Sequence, residues 1–198
     1  MKKILIFMLF VSAIFAQEAK WHQNELIGQP QDADIDEIDR WFVGVEAGYE
    51  RVWGDFGFGF DSVSYNTVNY GIKFGYTLYG DNRIYLNYNR NTDMEDDNAT
   101  HTTKTTLQKL LLGIDGVRYI NESFGIITGG AVGWAQSNTK WSDGGRDKES
   151  AFTIGAKVGG IINIGAHSEI EFGLKAGGSL FEETVWNANA YAGYNFKF

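Results

Sequence analysis

The sequence predicts an all-β protein, an eight-stranded antiparallel transmembrane up-and-down β-barrel. Three observations predict it. Apolar and polar residues alternate with a period of two from Trp41 onward, tight turns alternate with long polar connections, and the final strand is aromatic.

Composition sets the bounds. The 198 residues suffice for one domain, and 43% hydrophobic content is an ordinary globular value. A helical membrane protein needs runs of roughly 18 or more apolar residues. The one long apolar run, Ile4–Ala16, is shorter. A barrel escapes that test because only alternate residues face lipid. The 25 glycines, 15% aromatic content and single proline suit closely packed strands with aromatic belts. With no cysteine there is no disulfide framework and no thiolate metal site. A net charge of −8 argues against a nucleic-acid partner, because phosphate backbones select basic patches.

Residues 1–16 read as a cleavable secretory signal peptide. Lys2 and Lys3 form its positive region, Ile4–Phe15 its apolar core, and Ala16 before Gln17 its cleavage point, with Ala13 as the alternative. An uncleaved anchor is the competing reading of this segment, and no lipobox cysteine accompanies it. Residues 17–40 form a polar, acidic N-terminal segment expected in the periplasm. It carries Pro30, and Asp32, Asp34, Asp36, Glu37 and Asp39 are interleaved with Ile35 and Ile38. A plug or partner-binding role is the alternative to a plain leader.

The barrel is expected over 41–198. In the first strand Trp41, Val43, Val45, Ala47, Tyr49 and Trp53 oppose Phe42, Gly44, Glu46, Gly48 and Glu50. In the second, Val68, Tyr70, Ile72, Phe74, Tyr76 and Leu78 oppose Asn69, Gly71, Lys73, Gly75 and Thr77. The third sets Ile84, Leu86 and Tyr88 against Tyr85, Asn87 and Asn89; the fourth sets Leu110, Leu112 and Ile114 against Lys109, Leu111, Gly113 and Asp115. The outward faces of the fifth to eighth strands are led by Ile126 and Trp134, Phe152 and Val158, Phe172 and Leu174, and Tyr194 and Phe196. Gly80–Asn82, Asn121–Ser123 and Gly165–His167 are the tight turns. Gly54–Asn66, Asn91–Thr105 and Asn138–Glu149 are expected as long outer loops, with a shorter one near Glu182–Thr184.

The chain ends in Tyr191–Phe198, with aromatics at Tyr194, Phe196 and Phe198. This segment resembles the C-terminal signature strand of bacterial outer-membrane β-barrels. Over 41–198 the sequence is similar to the small barrels of the OmpA transmembrane domain and OmpX. The resemblance implies an outer-membrane location, surrounding lipid and lipopolysaccharide, and recognition by the barrel-assembly machinery through Tyr194, Phe196 and Phe198. No cell-wall-binding domain is expected, since the last strand ends the chain.

Closure follows from the solvent, because an open sheet in hydrocarbon would leave unpaired backbone groups at both edges. Trp41, Tyr76, Phe124, Phe196 and Phe198 are expected at the periplasmic interface, and Trp53, Tyr70, Tyr88, Trp134 and Trp186 at the outer one. Glu46, Glu50, Asp115 and Glu171 should face Lys73, Lys109, Lys157 and Lys175 inside. That predicts a filled lumen, since unpaired buried charges are costly.

No catalytic, cofactor-binding or metal-binding residue is assigned. His22, His101 and His167 fall in separate segments without ligand spacing. His167-Ser168-Glu169 has the residue types of a hydrolytic triad, but neighbours at a turn point apart, whereas a triad shares a focus. Asp93–Asp97 could take Ca²⁺ or Mg²⁺, yet lacks the glycine-containing spacing of a calcium loop and reads as a solvated acidic loop. Gly54–Phe60 offers Phe56, Phe58 and Phe60 for surface contact or for packing above the first hairpin. Asn98-Ala99-Thr100 matches a glycosylation sequon to which no role is given. The leading function is a structural or surface-interaction barrel of adhesion type, with a possible host or surface ligand at loops 54–66 and 91–105. A narrow channel is the alternative, and a lipid A-modifying enzyme the third reading.

Overall fold

The computed structural model describes residues 41–54, 63–78, 82–98, 101–181 and 184–198. The expected signal peptide, the 17–40 segment with His22, Phe56, Phe58 and Phe60, Gly80 with Asp81, and Ala99-Thr100 of the sequon lie outside the described residues.

Nine strands follow in order: β1 (Trp41–Gly54), β2 (Val63–Thr77), β3 (Arg83–Asn91), β4 (Met94–Asn98), β5 (His101–Tyr119), β6 (Phe124–Trp141), β7 (Arg146–Asn163), β8 (Ser168–Leu180) and β9 (Thr184–Lys197). Strands β3 and β4 both pair with β5 and together make one stave, so the ring has eight. Every pairing is antiparallel and, apart from β3 with β5 and the closing pair of β1 with β9, joins sequence neighbours, which is the up-and-down order expected. The ring closes where β1 meets β9, in a register running from Phe42↔Lys197 to Trp53↔Trp186. Beyond that ladder, Trp41 N–H donates to the Phe198 carbonyl (3.2 Å) and Phe198 N–H to that of Trp41 (2.9 Å). The closing seam of β1 and β9 therefore leaves no free edge between them, while beyond the bulge β4 pairs with β5 alone.

Burial is inverted relative to a water-soluble protein. Ile72 and Leu174 are 60% and 61% exposed, while Glu50 and Glu169 are fully buried. An apolar surface this continuous needs a hydrocarbon solvent. Along β1 the two classes alternate almost without interruption, so the sequence period and the faces agree. Rings gather at the strand ends. Trp41 stacks on Phe74 (5.2 Å between centroids) and meets Tyr76 edge-on (4.9 Å), and at the other rim Trp134 meets Phe152 edge-on (5.7 Å).

Two of the expected outer loops are largely strand. Residues Met94–Asn98 form β4, and β5 already begins at His101, within the segment read as the loop Asn91–Thr105. Likewise β6 runs to Trp141 and β7 starts at Arg146, leaving a four-residue turn, 142–145, where Asn138–Glu149 was expected as a loop. The third, Gly54–Asn66, gives up its last residues to β2, which starts at Val63. Beyond the apolar band polar residues occupy both faces of a hairpin, so the two-residue contrast of apolar and polar fades while the ladder continues.

A bulge joins β3 to β4. Arg90 pairs with Gln108 and Met94 with Thr105, so three residues (91–93) face two (106–107). Thr92 turns back to β2, its N–H donating to the Val68 carbonyl (2.8 Å), and Asp93 accepts from the Thr106 hydroxyl (2.9 Å). The extra residue switches parity, and both Asn91 and Met94 point inward.

Candidate functional site

The lumen is where this chain concentrates its polar chemistry. All eight charged residues expected inside are there, joined into ion pairs. Glu171 accepts from Lys73 (3.0 Å) and Lys157 (2.7 Å), and Lys157 also reaches Asp115 (2.6 Å). Glu46 holds Lys175 (2.5 Å) and stands 3.6 Å from Lys73, and Glu50 holds Lys109 (2.6 Å). Neutral donors complete the carboxylates. The Tyr191 hydroxyl (2.7 Å) and Asn195 (3.3 Å) donate to Glu171, while Asn91 (2.6 Å) and Asn69 (3.3 Å) donate to Glu50. Such pairing is what permits charges in a dry interior.

The sequence reading missed a second group at the tight-turn end. Arg83 grips Glu169 with both terminal nitrogens, and Lys197 (2.8 Å) and Asn195 (2.9 Å) join the same carboxylate. Parity held the signal. Glu169 shares the inward register of Glu171, and Arg83 that of Tyr85, but both sit at strand starts and read as turn residues.

Inward glycines make room for large groups on the next stave. A Cβ at Gly113 would lie 2.2 Å from the Tyr85 ring, and one at Gly75 2.5 Å from that of Phe42. Those rings fill the lumen beneath cations: Lys157 lies 5.0 Å and Lys73 5.2 Å from the Tyr85 centroid, and Arg83 5.6 Å from that of Phe42. Apolar clusters lie towards both ends. Val52, Met94, Leu107, Ala135 and Val185 pack together at the long-hairpin end with Tyr65 and Phe181, while Val117, Ile127 and Ile161 pack with Tyr119 at the tight-turn end.

Among the ion pairs lies a chamber of about 60 Å³. Its lining includes Asn69, Asn87, Asn89 and Asn189 with Lys109 and Glu50. Asn69 Oδ1, Asn87 Nδ2, Asn89 Oδ1 and Asn189 Oδ1 have no protein hydrogen-bond partner. The chamber has the polarity and the room for about four ordered waters.

Elsewhere the structure separates what the sequence places side by side. Glu169 points inward to Arg83; Ser168 points outward, 2.7 Å from the Tyr194 hydroxyl; the His167 ring lies 6.2 Å from that of Phe196. The three share no focus. His101 heads β5 at the outer end, far along the chain and the barrel from His167 at the periplasmic turn. Of Asp93–Asp97, Asp93 sits on the bulge bonded to Thr106 and the rest is β4, so the segment is not the loop expected. Among the described residues no group of three or more His, Cys, Asp or Glu side chains converges on a point.

Solved structures share this architecture. Neisserial surface protein A matches with a TM-score of 0.68 at 14% identity, over 80% of this chain and 97% of that one. The chain has the fold of the small eight-stranded outer-membrane barrels. Ail, the attachment invasion locus protein of Yersinia pestis, solved with the heparin analogue sucrose octasulfate, matches with a TM-score of 0.54 at 16% identity, over 79% of this chain and 99% of that one. A further structure of Ail matches with a TM-score of 0.52 at 17% identity. No protein-family model and no curated protein matches the sequence.

Proposed function

We propose that this protein resides in a bacterial outer membrane as a sealed barrel whose outer hairpins make contacts at the cell surface. The observation that carries the reading is a lumen filled by its own side chains. Apolar clusters pack within it, and its charges are bound to one another. Such an interior offers no continuous wet path, which leaves the hairpins β4–β5 and β6–β7 as the accessible surface. The similarity to a neisserial surface protein and to an attachment invasion locus protein supports this reading at the level of fold.

In this scheme residues 1–16 direct export and are removed, and 17–40 stay in the periplasm. The termini face the periplasm, and Tyr194, Phe196 and Phe198 present the closing strand to the assembly machinery. Lipid and lipopolysaccharide surround the wall, and a host or surface ligand is met at the loops around 54–66 and 91–105.

Two experiments test the proposal. Pure protein in planar bilayers should give no large steady conductance; a stable, reproducible open level would replace the sealed barrel with a channel. Replacing 138–149 by a tight turn should preserve the SDS-resistant fold yet reduce adhesion of cells displaying the protein. Unchanged adhesion for this variant and for one deleted in 55–62 would remove the surface-contact role.

A further inference from the structure

The β6–β7 hairpin has faces of opposite sign. Its outward positions are Gln136, Asn138, Lys140, Arg146, Lys148 and Ser150, with three cations and no carboxylate; its inward positions include Asp147 and Glu149. Lys140 stands directly opposite Arg146, and Lys148, opposite Asn138, is its diagonal neighbour. On the other side Lys140 stands opposite Lys104 of β5, and there β4 places Glu95 opposite Lys104 and ends the row. Side chains directly opposite across an antiparallel ladder have Cβ atoms roughly 5 Å apart, and like charges there destabilise the pair. A chain of net charge −8 nevertheless lines up cations on three adjacent staves. Such a row is compensated when an anion lies across it.

Height and direction identify the anion. Trp134 and Phe152 mark the outer aromatic belt on these two staves. Lys148 lies four residues and Lys140 six residues beyond it along the strands. At about 3.3 Å per residue and a tilt of 35–45°, that is roughly 10–15 Å above the belt. The side chains project sideways from the wall, into the layer of lipid headgroups and not up towards the medium. The exposed amide of Gln136 and hydroxyl of Ser150 flank the cations, as suits a saccharide carrying phosphates. The inward Asp147 and Glu149 repel the same anion from the hairpin's other face.

We propose that Lys140, Arg146 and Lys148 form a binding face for the phosphate-bearing saccharide of outer-leaflet lipopolysaccharide. The proposal rests on the outer-membrane orientation given above and names the partner of one hairpin within it.

The test uses the full barrel in phosphatidylcholine nanodiscs, titrated with fluorescent lipopolysaccharide. Wild type should bind saturably and more weakly as salt rises. With each surface cation worth roughly fivefold towards an anionic headgroup, K140Q/R146Q/K148Q should bind on the order of a hundredfold more weakly. Dephosphorylated lipopolysaccharide should bind wild type as poorly, R146K should retain most binding, and unboiled gel mobility should show each variant folded. A folded triple variant that binds lipopolysaccharide like wild type overturns the proposal. So does a patch that binds soluble heparin in preference to lipopolysaccharide, which would assign it to a sulfated glycan. If shortening the hairpin abolishes adhesion while the triple variant still binds lipopolysaccharide normally, the surface role stands and this lipid site falls.

Discussion

Replacing Lys157 by Met removes one ammonium from the middle of the lumen and nearly preserves side-chain length. Lys157 bridges Asp115 (2.6 Å) and Glu171 (2.7 Å). Glu171 would keep Lys73 at 3.0 Å and the Tyr191 hydroxyl at 2.7 Å. Asp115 would keep no ion-pair partner among the described residues, and its Oδ1 already has no hydrogen bond. At 1% exposure it would be a buried carboxylate without a direct counter-ion. Breaking a buried pair in this way costs about 3–5 kcal/mol, most of it from the stranded charge. Equilibrium urea unfolding of the barrel in lipid vesicles, followed by tryptophan fluorescence, measures the loss. Adding Asp115→Asn to Lys157→Met neutralises the stranded group and should restore about 1–3 kcal/mol, a coupling of the size seen for contacting residues. Lys157→Met within about 1 kcal/mol of wild type would show that water screens the lumen. Additive losses in the double variant would show that the two residues act independently; either result refutes the reasoning.

Three further outcomes follow from the same structure. Leu174→Arg puts a cation on the lipid face near mid-membrane and should destabilise the barrel by about 2–4 kcal/mol in the same unfolding assay. Leu107→Ala empties part of the outer apolar cluster and should cost about 2–5 kcal/mol; it should also raise hydrogen exchange at the outer ends of β5 and β6. Gly113→Ala drives a methyl into the Tyr85 ring and should cost about 1–3 kcal/mol, with much of the loss relieved by Tyr85→Leu.

The eight staves and their faces were legible because a membrane imposes one rule on every strand: alternate residues must be apolar. Ile72 against Lys73 and Leu174 against Lys175 are enough to read it. Pairing partners were not legible. Which carboxylate meets Lys157 depends on the stagger between β5, β7 and β8, which composition does not encode. Arg83 and Glu169 were missed because turn-adjacent residues look solvent-bound until the register carries them inside. The bulge at 91–93 hid β4 in a different way. With Asn91 and Met94 both inward, the period slips by one residue, and a segment that continues the stave reads as an irregular loop. The long hairpins were hidden by their wetness, for Lys140 and Thr139 carry no contrast that separates a lipid face from a lumen face. The same polarity kept the basic row out of view: Lys104, Lys140 and Arg146 are distant in sequence and become neighbours only across the ladder.

The inverted surface is tested most directly with single cysteines, since the chain has none of its own. An environment-sensitive fluorophore would be attached in turn at Ile72, Leu174 and Ser142 of the barrel in lipid vesicles. The account predicts blue-shifted emission at Ile72 and Leu174, quenched by lipids brominated in their acyl chains and insensitive to aqueous iodide. At Ser142, on the outer turn, it predicts the reverse. Iodide-quenched, red-shifted emission at Ile72 and Leu174 would put water where this structure requires hydrocarbon.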